Sequence, residues 1–447
     1  MKSILALLLT FPILCFAQSI QETCVSLPAN GTVVDFEMFN DTLYATGFFS
    51  SICGEQAAFI ATWDQGIWTP SPLGLTDPGH SLNVIDEHLY IARYEESIDS
   101  NWVYVYDGDN LETMGQGVYL TTASGFSELP NIYSIIEFND EIYACGEFDR
   151  VGTASISGIM KWNGTAWTDV GGGLSGNIQN SAPVMFPHTM VVFENELYVG
   201  GNFRFAGATE VNGLAKWDGT NWSAMDGGFN STVYGLGIFN NTLYAGGSFT
   251  SASGNTLNRI ARWNGSSWES PGFGFIENSA QDFIFVHTLE SIDNDFFIAG
   301  GLKKVIYDDM TEELCNGVVS FDGSALNTYE GGVPGNDIEA IAKSNENELL
   351  FGGGVFGAGY TGILSSNSLF ESEVESALTI YPNPSTDYIQ IASKHPFQII
   401  ACHNLAGEHV RLNLDQNRID VRSMDSGIYF ITIKLSNKFL TYKIGVQ

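Results

Sequence analysis

His80, His188 and His287 each stand ten residues ahead of an aromatic position that recurs along the chain, and Tyr133 and Tyr234 hold the same place in the copies between them. Val34 opens the series, and Glu339 closes it if its own hairpin is one residue longer. Two residues further on, the position is apolar in every copy: Phe36, Leu82, Ile135, Met190, Leu236, Leu289 and Ile341. Imidazole, phenol and carboxylate groups at one register could do three things. They could cap an apolar core with their polar tips in water, form a ring that binds a polar ligand, or hold a metal ion through neutral imidazoles. The histidines fall in alternate copies, a spacing that sets them far apart for one ion. No metal ligand set and no cofactor is therefore assigned, although the acidic composition suits a bound cation. The chain has no nucleophile elbow, phosphate loop or zinc-protease helix. Its carboxylates are too many for one pair to be singled out as acid and base, so no catalytic residue is assigned.

The elements that must position this register are short strands. Residues 233–270 form the clearest unit: strands at 233–239 and 242–249 joined at Asn240-Asn241, then a second hairpin across Asn264-Gly265. Asn tolerates the positive φ of a tight hairpin, and Asn-Gly is a strong turn signal. Aligned on the second strand, the anchors Tyr44, Tyr90, Tyr143, Tyr198, Tyr244, Phe297 and Leu350 define seven copies spaced 46 to 55 residues apart. Glycine follows three residues later in six of them, at Gly47, Gly146, Gly201, Gly247, Gly300 and Gly353, with Arg93 in the second copy. A glycine inside a strand marks a bulge or a close backbone approach. Repeats of this length read as propeller blades, which bury each sheet face against a neighbour. The predicted fold is all-β, a seven-bladed β-propeller followed by a small C-terminal β-sandwich. The segment Cys24–Pro28 is expected to close the ring as the outer strand of the seventh blade, in preference to Leu369–Ser372.

Composition narrows the setting. The formal net charge is −33, and the acidic excess falls between residues 18 and 370, a surface that repels nucleic acid and anionic headgroups. Residues 1–17 read as a signal peptide: Lys2, an apolar run from Ile4 to Phe16, and cleavage before Gln18. No later run is long enough for a transmembrane segment. Five cysteines would remain, an odd number without metal-type spacing, and Cys24–Cys53 is the one pairing worth testing. Cys145, at the place of Gly200 and Gly246 in sister copies, reads as a small buried residue.

The run Leu197-Tyr198-Val199-Gly200-Gly201, followed by Trp217-Asp218 and Trp222, resembles kelch-type propellers over roughly residues 30–370, though the paired aromatics here stand five apart. After an acidic linker at 371–377, residues 378–447 carry short alternating strands at 388–392, 399–403, 409–412, 428–433 and 440–446. Tyr381-Pro382-Asn383-Pro384, Asn404-Leu405-Ala406-Gly407, Met424-Asp425-Ser426-Gly427-Ile428-Tyr429-Phe430 and Tyr442-Lys443-Ile444 resemble the C-terminal sorting domain of the type IX secretion system. That resemblance implies a Gram-negative source of the Bacteroidetes kind and a partner in the type IX machinery. It also implies export through the periplasm to the surface or the medium. The expected role is a secreted binding or adhesion module for a glycan or protein ligand, with His80, Tyr133, His188, Tyr234, His287 and Glu339 at the channel mouth. The alternative is a secreted glycan-active enzyme using the same mouth.

Overall fold

The computed structural model describes residues 18–19, 21–22, 31–52, 55–64, 67–121, 129–178, 185–279, 282–315, 317–330, 337–345, 348–355 and 358–365 of the first part of the chain. In the last part it describes 378–381, 385, 387–393, 397–404, 410, 412–415, 418–422, 424, 426–435 and 438–446. The signal peptide, the linker, Cys24, Cys53, Pro382, Asn383, Pro384, Gly407 and both segments weighed for ring closure at 24–28 and 369–372 lie outside these residues. The chain divides into two compact units, Met1–Ser365 and Ser366–Gln447.

Among the described residues the first unit holds seven antiparallel sheets of the expected kind. Their innermost strands are Val33–Phe39, Gly79–Ile85, Asn131–Phe138, Phe186–Phe193, Val233–Phe239, Val286–Ile292 and Ile338–Lys343. Each innermost strand packs against the next, and the seventh returns to the first, so the unit is a closed β-propeller. The hairpins follow from local chemistry. Asn240 and Asn241 sit at φ 47° and 56°, and the same left-handed pair recurs at Asn40-Asp41, Asp86-Glu87, Asn139-Asp140 and Glu194-Asn195.

The N-terminal segment supplies an outer strand to blade seven among the described residues, while the expected closing segment Cys24–Pro28 lies outside them. Gln21–Glu22 pairs with Gly362–Ile363 as the outer strand of blade seven, and Gln18–Ser19 runs parallel to Tyr329–Glu330 on blade six. The third strand of blade seven is Ala358–Ser365.

Blade faces are held together by large side chains just past the second strand and by tryptophans further out. Phe49, Phe148, Phe203, Phe249 and Leu302, two residues past the recurrent glycine, are at most 1% exposed. The tryptophan pairs 63/68, 162/167, 217/222 and 263/268 lie 4.9–5.3 Å apart across the second hairpin. Trp167 donates its indole N–H to the Met114 carbonyl (2.9 Å) and Trp222 to that of Val170 (3.1 Å), tying each blade to the one before it. Cys145 is fully buried as expected, and Cys315 and Cys402 are buried too.

The second unit is a sandwich of two antiparallel sheets. One contains Leu378–Tyr381, Tyr388–Ser393, Arg418–Asp420 and Asn413–Asp415; the other contains Phe397–Asn404, Gly427–Leu435 and Lys438–Val446. Ile389, Ile391, Ile419, Val421, Ile431 and Ile444 form its core. Of the strand expected at 409–412, the described residues Val410 and Leu412 lie outside strands, the Val410 N–H donating to the Cys402 carbonyl (2.7 Å), and the hairpin that follows pairs Asn413–Asp415 with Arg418–Asp420.

Because Gln21–Glu22 completes blade seven, deleting residues 18–22 should bare a strand edge and lower the unfolding temperature by several degrees. An unchanged melting curve would refute closure by this segment.

Candidate functional site

The register of His80 and its equivalents is a β-bulge in all seven blades. The ladder between the two inner strands skips Val34, His80, Tyr133, His188, Tyr234, His287 and Glu339. A bulge places two residues of one strand opposite one of its partner and re-aims a side chain. The residue opposite the start of each bulge is the recurrent glycine. A Cβ on Gly201 would lie 2.3 Å from the Phe186 carbonyl oxygen, and one on Gly247 would lie 2.0 Å from that of Thr232. In blade two Arg93 takes the glycine place and pairs with Gly79. Arg93 turns outward instead, over the Tyr104 ring (4.3 Å from its centroid), bonding the Tyr104 hydroxyl (2.7 Å) and Glu95. The longer hairpin of blade seven, with Lys343 paired to Leu349, accounts for the extra residue before Leu350.

All seven bulge residues line one cavity of about 520 Å³ on the propeller axis. Their rings form a continuous chain. Centroid separations are 6.5 Å for His80–Tyr133, 5.0 Å for Tyr133–His188, 4.9 Å for His188–Tyr234 and 5.8 Å for Tyr234–His287. Phe48 stacks edge-on against His80 at 4.9 Å, and Phe186 and Phe285 flank His188 and Tyr234 at 6.4 and 5.6 Å. His80 Nδ1 lies 3.3 Å from Asn101 Nδ2, and His287 Nδ1 lies 3.3 Å from the Glu339 carbonyl. Among the described residues, no group of three or more His, Cys, Asp or Glu side chains is placed to hold a metal ion.

Carboxylates occupy the other side of the cavity. Asp35, Glu37, Glu290 and Glu339 come from blades one, six and seven, which are contiguous around the ring. The residue-by-residue reading found Glu339 and missed the other three. They stand one and three positions beyond the bulge, so the same register extended along the strand would have found them. Asp35 accepts the backbone N–H groups of Leu82 (2.7 Å) and Phe36 (2.8 Å), yet burial outweighs these bonds and raises its pKa to about 7. Burial, reinforced by Asp35, raises Glu37 to about 8; burial raises Glu290 to about 7, and burial with Asp337 nearby raises Glu339 to about 8. The imidazoles move the opposite way for the same reason: burial lowers His80 to about 4 and His188 to about 3, and it lowers His287. Near neutral pH the cavity therefore presents uncharged imidazoles and carboxyl groups whose charge is weakly held.

Residues 379–447 match the family described as the secretion system C-terminal sorting domain. The second unit is thus the sorting domain of type IX secretion, a tail that directs export to the cell surface or beyond. Of the sorting-motif residues, Tyr381, Gly427, Tyr429 and Lys443 lie on strands of the sandwich, with Tyr429 buried. A comparison with curated protein sequences finds no match. Solved structures that it resembles include the extracellular domain of a hybrid two-component system from B. thetaiotaomicron. That similarity has 9% identity and a TM-score of 0.47, covering 93% of this chain and 55% of that one. Another such domain from B. thetaiotaomicron has 11% identity and a TM-score of 0.46, covering 96% of this chain and 59% of that one. A streptogramin B lyase has 12% identity and a TM-score of 0.47, covering 78% of this chain and 98% of that one. The chain therefore spans little more than half the length of the two extracellular domains. No helix among the described residues is long and apolar enough to cross a membrane.

The raised carboxyl pKa values have a sign that can be checked. In the folded state these groups bind protons up to about pH 7–8, while in the unfolded chain they lose them near 4, so their contribution is present at low pH and lost as pH rises through about 8. The histidines oppose this trend only below about 6.5, where the unfolded chain starts to take up protons. From pH 6.5 to 8.5 the unfolding temperature should therefore fall. Glu37→Gln should flatten the curve and gain about 1 kcal/mol at pH 8.5, a figure discounted for channel water. A curve that rises across this window would contradict the assignment.

Proposed function

We propose that this exported propeller is a binding module that takes a polar extracellular ligand, a glycan or a segment of protein, at the mouth of its central channel. The observation that supports this reading is the bulge repeated in seven blades, which turns His80, Tyr133, His188, Tyr234, His287 and Glu339 toward one cavity. A mere cap on the core would not need a bulge in each copy, because ordinary alternation along a strand already separates polar from apolar faces. Aromatic faces with a few polar groups around a cavity of this size suit a ligand that is flat or amphipathic. The repeat is a kelch-like variant in this reading. Residues 1–17 act as a signal peptide, and residues 378–447 engage the type IX machinery at the outer membrane.

A second reading has a specific observation behind it. Asp35, Glu37, Glu290 and Glu339 share the cavity, and carboxyl groups held protonated near neutral pH are suited to general acid work on a glycosidic bond. Glycan and peptide arrays run with a hydrolysis screen separate the two. Binding without turnover, abolished in the His188→Ala, Tyr234→Ala double variant with its fold retained, is the expected result. Turnover that disappears with Glu37→Gln would instead favour the enzyme. Binding that survives the double variant would remove the channel mouth as the site.

Export can be tested separately. A chain lacking residues 378–447 should fold as a propeller and remain in the periplasm, since the two units have separate cores. Surface display of the truncated chain, followed by cell fractionation, would overturn the role given to the tail.

A further inference from the structure

The cavity is polarised around its circumference. Blades two to six contribute the ring chain from His80 to His287, extended toward solvent by Phe48, Phe285 and Phe283, of which Phe48 is 47% and Phe283 69% exposed. Blades six, seven and one contribute Glu290, Glu339, Asp35 and Glu37. None of the described residues lining the cavity is a lysine or arginine. The carboxyl groups of Glu290 and Glu339 accept no hydrogen bond from another described residue, and both point into the cavity rather than into a partner. Glu290 is exposed to the channel and Asp35, Glu37 and Glu339 are half-buried, and carboxylates crowded together in such a site are ordinarily paired with a cation or solvated by donors. No described lining residue supplies a pairing cation, so the arc is open to one from outside the chain.

We propose that the ligand of the channel mouth carries an organic cation, an ammonium or guanidinium group seated between the aromatic chain and the acidic arc. This rests on the channel-mouth reading and adds the charge of the ligand to it. Three features converge on that chemistry. Aromatic faces attract an ammonium through their quadrupole, and the attraction grows when water is excluded. The acidic arc supplies compensating charge. The carboxylates are not grouped for a metal ion, so the cation they suit is a bulky one that shares its charge over several oxygens. The surrounding charges agree with this assignment. Glu37 faces Asp35 and Glu290, Glu339 faces Asp337, and burial has pushed all five acids upward, with Lys303 opposing that rise only at Asp337. An arriving cation would relieve that repulsion, while the net charge of −33 draws it toward the surface.

The same chemistry could come from a free polyamine or from a lysine side chain of a polypeptide, and the test separates them. Spermidine, a capped lysine peptide and neutral cellohexaose are titrated calorimetrically into the purified full-length chain. The same is done for the Glu37→Gln, Glu290→Gln double variant and for the His188→Ala, Tyr234→Ala variant. Glutamine has the shape of a protonated glutamic acid, and circular dichroism with a melting curve verifies that each variant is folded. Saturable binding of at least one amine is expected, weakened at least about tenfold by the carboxylate pair of substitutions and also by loss of the ring pair. Tighter binding of the peptide identifies a polypeptide lysine as the source, and tighter binding of spermidine identifies a free amine. If neither amine binds, or if amine binding survives both double variants and so reports only the acidic surface, the inference is overturned. If cellohexaose binds through His188 and Tyr234 while the amines do not, the cation is refuted and the channel mouth stands as a binding site. If nothing binds and arrays find no ligand lost with the ring pair, the channel-mouth reading itself fails.

Discussion

Six of the seven inner hairpins of the propeller depend on one close contact, a backbone carbonyl laid against the α-carbon of a glycine. In six blades that approach leaves no room for a side chain, with a built Cβ only 1.9–2.4 Å from the oxygen. The approach lets the innermost strand take up an extra residue without losing its partner. The contact does not act through its own energy. It sets the local register, and two consequences follow from register: the residue after the glycine-facing position swings toward the axis, and the apolar residues beyond it meet the neighbouring blade. Blade two keeps the bulge with Arg93 at the glycine place, and its Gly79 makes room for a different neighbour, since a built Cβ there would lie 2.1 Å from the Thr46 hydroxyl of blade one.

Outside this inner zone the constraint becomes lateral packing. A four-stranded sheet has two apolar faces and cannot bury either one alone. The phenylalanines beyond the glycines fill the space between neighbours, and the tryptophan pairs seal the outer half of each seam. Trp167 and Trp222 combine both jobs, since a large ring covers the seam while its N–H reaches the loop of the preceding blade. Gly115 and Gly171 leave the space those rings need, their built Cβ atoms falling 2.6 Å from Trp162 and Trp217. A closed ring also needs its last blade completed, and a strand borrowed from the N-terminus does this without adding a free edge.

The axis differs from the seams because its side chains have no sheet to pack on. Seven bulges deliver seven side chains to a shared space, and their identities decide its character. A run of imidazoles and phenols makes one arc, and carboxyl groups from three contiguous blades make the other. Both classes are pushed toward their neutral forms by enclosure, the histidines downward and the acids upward. The sorting tail that follows has an apolar core of its own.

Much of this was legible from residues alone. Strand periodicity, Asn-rich turns and evenly spaced anchors implied seven four-stranded units, because local turn chemistry and alternation are properties of neighbours in sequence. The glycines announced a bulge or a close approach, and the structure contains both at once. The register ring was also visible, since repeats convert position in space into position in sequence. The tail was recognisable from motifs that stand close together along the chain. Other features were decided only by tertiary structure. The pairing of Gln21–Glu22 with blade seven is one, because strand pairing across the whole length of a ring depends on where the ends meet. The hairpin lies at 413–420, beyond the strand expected at 409–412, since short polar strands carry weak alternation. Asp35, Glu37 and Glu290 could not be separated from the many other acidic residues of the chain until closure brought blades six, seven and one side by side. Charge on a flat sequence is a composition, and only enclosure around an axis made these carboxyl groups neighbours with raised proton affinity.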